Sequence, residues 1–460
     1  MAAVFNRQDL FLEELAFAWP QETAILECIS QDEEANRKLT ATNHAGSYIN
    51  VRRPSWVQAY VDPNTTGSVA PNAQTGTTDF YDESLASGVY TTATGFQSLQ
   101  QASVPLVINH VIRADVEVSA QRLTQSLTRD QIRNEFIEPL MTSASEQIQK
   151  AVLDDINAYA GSAVVASSSY SSDYQKAVQD VIGQAGSIQR ARKGIGMVHD
   201  GVFLSNQDVL YKFGIGVATN YHATDNPTKI QESGAWGGTR INGFRPLTSP
   251  LVTSKTLPAQ LSDVTVAAAG GGVTNGLTAY AQTFQVNLTG LGAGYVVQKG
   301  LKLYFQNAST SANVNWVIPT TKDDTGKVAT FSVVSSVTAD GSGNATVTLS
   351  GPAIYSGPSR NISITTVLTG YKVFIVGAAV GASTVTPAYI INPKAVVGAW
   401  QQYDVPIGTP WSKHVRTKNG ARFTLMIDRY PGTQQSVLSL RGFFGTALRA
   451  EEGVTVGYGI

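Results

Sequence analysis

Glutamate is spread so unevenly along this chain that it divides the molecule in two. Eleven glutamates fall within residues 1–160, one more stands at Glu232, and none follows until Glu451. Glutamate favours helices and is depleted in strands, while the stretch without it is rich in Val, Thr, Ser, Asn and Gly. Long helices are therefore expected in the first third and mostly sheet and turn thereafter, an α+β chain.

The 460 residues are enough for several structural units with sizeable cores. Only 15% of residues are charged, well under the usual ~25% and the opposite of what disorder requires. Lys+Arg 33 against Asp+Glu 34 leaves a net charge of −1, without the basic excess of a chain that grips nucleic acid or an anionic membrane. The single cysteine, Cys28, excludes an intrachain disulfide and any multi-cysteine metal site. The start of the chain lacks the basic-then-apolar order of a signal peptide, and no apolar run approaches the ~18 residues of a membrane span. A soluble protein made in a reducing cytoplasm is expected, with no membrane partner.

The pattern along the chain sharpens this. Leu10, Phe11, Leu15, Phe17 and Trp19 form an amphipathic patch ended by Pro20, and a second short helix is expected around 22–36. Ser47–Pro54 alternates like a strand stopped by proline. From Trp56 to about Gln101 runs a long polar stretch with turn residues, a length improbable in a compact domain unless it is a functional arm. Val104–Val118 reads as a strand leading back. Thr128 and Gln131 make a capping box, after which Ile132, Phe136, Leu140, Ala144, Ile148, Val152 and Ile156 recur every four residues. That predicts a rod to about Tyr159, roughly 48 Å long at ~1.5 Å per residue, kinked near Glu135 by Pro139. Helices are expected at 173–193 and 206–213, and a buried strand at 197–204. Between 258 and 386 short strands at 282–288, 301–306, 314–318, 329–337, 345–349, 362–367 and 372–376 predict a small barrel or sandwich. Strand-like segments at 436–443 and 453–456 close the chain.

Catalytic signatures are scarce. The sequence holds no His-Glu-x-x-His, no Gly-x-Ser-x-Gly and no phosphate-binding Gly-x-x-x-x-Gly-Lys-Ser/Thr. The glycines at 270–272 and 290–294 read as turns. His44, His110, His199, His222 and His414 are scattered, and Cys28 reads as a small buried hydrophobe. Glu135, Glu138, Asp154 and Asp155 read as a solvated or subunit-facing helix surface. Arg52 and Arg53, beside Trp56 and Tyr60, could contact phosphates and stack on bases, but with no wider basic patch a local ion pair or protein interface is the better reading. No cofactor, metal or catalytic residue is assigned.

The order of elements carries a resemblance. Gly46-Ser-Tyr-Ile-Asn-Val-Arg-Arg-Pro54, Val104-Pro-Leu-Val, Val116-Glu-Val-Ser-Ala, Phe136-Ile-Glu-Pro-Leu140 and Asp154-Asp-Ile-Asn-Ala-Tyr159 stand in sequence, and near the end come Arg441-Gly-Phe-Phe-Gly445 and Leu448-Arg-Ala-Glu-Glu452. In this the chain resembles the major capsid (coat) proteins of tailed bacteriophages, and among them the coat proteins of short-tailed Salmonella-type phages with an inserted β domain. The resemblance implies an N-terminal arm at 1–45, an extended loop with flanking strands at 46–127 and a spine helix of the peripheral domain at 128–171. It further implies an axial domain in two parts at 172–257 and 387–435, an inserted all-β domain at 258–386, and a C-terminal strand of the peripheral domain at 436–460. The implied role is structural: self-assembly into hexamers and pentamers of an icosahedral shell around double-stranded DNA, formed in the host bacterial cytoplasm and found in the virion. The implied partners are many copies of itself, a separate scaffolding protein and a portal at one vertex, with or without a decoration protein, and only weak non-specific contact with the packaged DNA. Some relatives cross-link through a lysine on the extended loop; no lysine lies between Lys38 and Lys150 here, so no such bond is expected. Asp79, Asp82 and Glu83 on the loop could pair with Arg129 or Arg133 of a neighbour, against the simpler reading of solvated charge. The competing readings are a β-rich surface adhesin or tail-associated protein, and an esterase-like or glycosidase-like enzyme.

Overall fold

The apolar residues that return every four positions lie on one buried face of helix α1, Glu138–Tyr159, where Leu140, Ala144, Ile148, Val152 and Ile156 are all buried. At 22 residues this helix is about 33 Å long, and helical winding precedes it from Arg133, the first described residue of the rod expected from Thr128. The winding changes where the kink is expected. Residues Arg133–Ile137 wind as a π-helical turn, and Pro139 stands in the first turn of the regular helix, where its missing N–H would have had no partner. The computed structural model describes residues 25–31, 48–52, 103–119, 133–170, 173–192, 201–220, 240–278, 280–319, 321–356, 360–401, 403, 405, 411–416, 421–429, 435–449 and 453–459. The capping box at Thr128 and Gln131, the amphipathic patch at 10–19 and the polar stretch from 56 to 101 lie outside the described residues.

Two more helices follow. Asp173 caps α2, Tyr174–Ala191, its carboxylate accepting from the Lys176 N–H at 3.2 Å. Helix α3, Gln207–Asn220, runs a further turn and more beyond the expected Phe213. Before α1 stand strands β1 (Ser30–Gln31), β2 (Tyr48–Arg52), β3 (Ser103–Val107) and β4 (His110–Ser119). Around α2 and α3 come β5 (Ser162–Val165), β6 (Val202–Ser205), β7 (Arg245–Thr248) and β8 (Lys255–Leu257). The second half contributes β9 (Thr265–Val266), β10 (Thr283–Thr289), β11 (Val296–Val297), β12 (Lys302–Asn307), β13 (Asn315–Val317), β14 (Asp324–Val328), β15 (Thr330–Val333) and β16 (Val337–Thr338). Then follow β17 (Ala345–Ser350), β18 (Tyr371–Ile375), β19 (Ser383–Val385), β20 (Ala388–Ile391) and β21 (Val396–Gln401). The last are β22 (Trp411–Arg416), β23 (Arg422–Arg429), β24 (Gln435–Leu448) and β25 (Val454–Tyr458). The short helix expected around 22–36 is, where described, a single 3-10 turn at Leu26–Cys28 followed by β1.

The strands sort into a few sheets. A six-stranded sheet is built around β24, which pairs antiparallel with β4 along one edge and with β23 and then β21 along the other, β22 and β1 completing it. A five-stranded sheet runs β5-β25-β20-β6-β7. Between β9 and β18 a closed barrel has the order β10-β17-β15-β12-β18-β9. Its interior is filled by the alternate residues of each strand, such as Phe284, Val286 and Leu288 on β10 and Leu303 and Phe305 on β12. The chain enters the barrel after β8 and leaves it before β19, and those two strands pair with each other.

Pairing departs from expectation in three places. The segment 362–367 forms no strand; Ile362 is buried and makes one bridge to Trp316. The two closing segments are not one unit, since β24 joins the sheet of β4 while β25 joins that of β20 and β6. The segment 387–435 is likewise shared, β20 in the five-stranded sheet and β21, β22 and β23 in the six-stranded one. Alternation tells which face of a strand is buried and carries no label for its neighbour. Helix α1 binds the two sheets together: its buried face packs in one cluster with Ile112, Leu438, Leu440 and Phe444 of the first and Tyr389, Ile391 and Val456 of the second.

Candidate assembly surface

No group of three or more His, Cys, Asp or Glu stands where it could hold a metal ion among the described residues. Cys28 is fully buried, and burial pushes its thiol up to about 12, which keeps it protonated and unreactive at neutral pH. His414 Nδ1 lies 3.0 Å from the Thr424 hydroxyl on the neighbouring strand. His44, His199 and His222 lie outside the described residues. The glycines at 270–272 and 290–294 are turns, with positive φ at Gly271, Gly272, Gly290 and Gly294.

What is built instead is a set of anchors. Strands β2 and β3 pair antiparallel in register from Tyr48↔Val107 to Arg52↔Ser103. The fifty residues 53–102 therefore leave and return through one ladder, whose last rung is Arg52 with Ser103. This hairpin is seated by Val51, Val104, Leu106 and Ile108, which pack on Val397, Ala399 and Ala447 of β21 and β24. The approach is close: a Cβ on Gly445 would collide with the Val107 carbonyl oxygen. Glycine at that position lets the hairpin lie directly on the β24 backbone.

A second anchor ties β4 to α1. His110 Nε2 lies 3.0 Å from Asp155 Oδ2, and the Thr446 hydroxyl donates to the same oxygen at 2.6 Å. The His110 ring stacks on Phe444 with centroids 4.7 Å apart. Beside them is a cleft of about 370 Å³ between residues 110–114 of β4 and the Ser143–Gln147–Ala151 side of α1.

A third anchor lies where α1 ends on the barrel. Lys302 is 1% exposed, and burial, with the like charge of Lys255 beside it, holds its amine well below its ordinary range. It donates to the Asn157 carbonyl and, at 2.5 Å, to the Ser332 hydroxyl. Nothing in the sequence marks it. Lys302 alternates out of phase with the barrel-filling Leu303 and Phe305, the position of an ordinary solvent-facing lysine, and only the fold lays the helix end over it.

Of the residues singled out in the sequence, Arg52 ends the β2–β3 ladder and Arg133 opens the π turn. Arg53, Asp79, Asp82, Glu83 and Arg129 lie outside the described residues, so the loop-to-helix pairing is not brought together here. Glu135 is exposed at the π turn, and Asp155 is the carboxylate that holds His110 and Thr446.

No known family model matches the sequence, and no curated protein matches it. Among solved structures, a chain described as "Mycobacterium phage Che8" is 10% identical over 94% of this chain and 89% of that one, with a TM-score of 0.42. A chain from "Asymmetric unit of bacteriophage PhiM1 mature capsid" is 9% identical over 90% and 82%, with a TM-score of 0.37. One from "Capsid structure of the Cyanophage P-SCSP1u" is 8% identical over 90% and 84%, with a TM-score of 0.36. TM-scores below 0.5 do not establish a common fold.

Proposed function

We propose that this chain is a shell-forming structural subunit of the tailed-bacteriophage major capsid type, without a catalytic role. The observation that carries the reading is the seated β2–β3 ladder, from which fifty residues depart and to which they return. Ordering a backbone costs about 1–2 kcal/mol per residue, so an excursion of that length needs tens of kcal/mol of contact to become ordered. Its polar composition offers little apolar surface of its own to bury, and repeated neighbours in a closed shell supply that contact in every copy. A net charge of −1 suits a wall that should not hold packaged DNA tightly.

On this reading the arm lies across a neighbouring subunit, α1 is the spine of a peripheral domain, and the barrel is an inserted domain on the outer surface, as in the Salmonella-type coat proteins. The shell is built of hexamers and pentamers with a portal at one vertex and a separate scaffolding protein, assembles in the bacterial cytoplasm, and contains no isopeptide ladder. Asp79, Asp82 and Glu83 meet Arg129 or Arg133 of the neighbour, with Arg52 and Arg53 at the arm's root on the same contact.

The test is co-expression of the chain with candidate scaffolding proteins, followed by electron microscopy. Closed shells of uniform size are expected, and removal of residues 60–95 should leave a folded subunit that no longer closes. Wild-type chain that stays monomeric with every scaffold, or shells formed equally well without the arm, would overturn the proposal. Covalent oligomers on denaturing electrophoresis would remove the cross-link statement alone, and charge reversal at Asp79, Asp82 and Glu83 with unchanged assembly would remove the ion-pair statement alone.

A further inference from the structure

The last turn of an α-helix leaves carbonyls with no partner inside the helix. At the end of α1 and just beyond it they are met from outside. Lys302 on β12 donates to the Asn157 carbonyl and to the Ser332 hydroxyl, which donates on to the Ala160 carbonyl. Ser350 on β17 donates to the Tyr159 carbonyl at 3.3 Å. Arg192, at the end of α2, reaches the Gly161 carbonyl at 3.3 Å while lying 3.7 Å over the Trp316 ring. The barrel is thus the C-terminal cap of the spine helix, and a buried amine sits at the centre of the joint.

The protonation state of that amine follows from its surroundings. Two acceptors face Nζ, as many as a neutral amine has N–H groups, and among the described residues no carboxylate bonds to it. The charged group acting on it is Lys255 of β8, a like charge, which Asp154 of α1 attracts and Lys299 repels. Arg192 is turned to Gly161, and the buried phenols of Tyr389 and Tyr458 are held protonated by their own burial. A helix C-terminus favours a cation, but by less than burial of an unpaired ion opposes it.

We propose that Lys302 is a proton-operated latch between the spine helix and the barrel, closed while its amine is neutral and loosened when the amine takes up a proton. When the joint opens locally, the amine reaches water and binds the proton it lacked inside. The open form then holds one proton more than the closed form. The opening constant therefore rises as pH falls, approaching tenfold per pH unit between the amine's native value and 10.5, and levels off below that window. The latch does not depend on the assembly reading, since it concerns the isolated subunit.

Hydrogen exchange of the full chain between pH 7.5 and 9.5, corrected for the intrinsic chemistry of exchange, tests it. Peptides covering 156–165 and 328–334 should open more as pH is lowered, while reference peptides over β10 and β24 stay level. Lys302→Met should abolish the slope at the joint. Ser332→Ala, which keeps the amine and removes one acceptor, should raise opening at every pH and keep the slope, so the proposal stays testable if the methionine variant fails to fold. A level wild-type joint, a slope retained in Lys302→Met, or a slope lost in Ser332→Ala would each overturn the latch.

Discussion

The barrel core offers the most quantitative prediction. Phe331 on β15 is fully buried and touches three rings: Phe284 edge-on at 5.3 Å, Phe305 at 5.6 Å and Trp316 at 5.4 Å between centroids. Truncating a buried phenylalanine to alanine costs about 3–5 kcal/mol from lost transfer and the cavity left behind. The three ring contacts, each worth about 0.5–1.5 kcal/mol beyond area in favourable geometry, place Phe331→Ala at the upper end, about 5 kcal/mol. Phe331→Leu keeps most of the volume and loses the ring contacts, so about 2 kcal/mol is expected. Urea unfolding followed by tryptophan fluorescence measures both, because Trp316 lies against the substituted side chain. The midpoint should fall in the order wild type, Leu, Ala. An alanine variant that loses less than about 2 kcal/mol, or a leucine variant as damaged as the alanine one, would show that the aromatic cluster does not organise the barrel interior.

Asp155→Ala should destabilise the subunit by about 1–3 kcal/mol by stranding His110 and Thr446, with Asp155→Asn losing less; thermal unfolding of the two variants decides, and equal losses would refute the pairing. Gly343 has φ +77°, and a Cβ there would run into the Leu291 carbonyl, so Gly343→Ala should lower the melting temperature clearly, whereas Gly341→Ala two residues earlier meets open space and should be nearly silent. The Cys28 thiol is raised from 9.0 to about 12 by burial, so its contribution is complete below pH 9 and is lost as pH rises from 9 to 12. In Cys28→Ala the alkaline fall in stability should be shallower over that interval; an unchanged profile in pH-dependent denaturation would contradict the buried-thiol assignment.

How far the sequence could be read depended on whether a feature is local. The buried face of α1 was legible because four-residue spacing is a property of one segment, and the barrel strands because inward residues alternate within each of them. Partnering was not legible. Segments 436–443 and 453–456 look alike in composition, yet β24 joins β4 from more than three hundred residues earlier while β25 joins β20 and β6. Asp155 looked like surface charge on a helix until the fold laid His110 and Thr446 against it. Lys302 had no signal at all, because its burial comes from another element covering an outward-facing position. The π turn before Pro139 was half visible: proline announced a disturbance, and the local winding decided its form.

The arrangement around β24 has a mechanical consequence. Along one side it lies against a single long partner, β4, and along the other against two shorter ones, β23 and β21, set end to end. The junction of the short partners falls opposite the unbroken run of the long one, as in an overlapped splice. A pull along the strand direction loads many hydrogen bonds at once in shear instead of unzipping them singly. Stretching this region should thus require far more force when applied along β24 than across it, a stiffness that depends on direction.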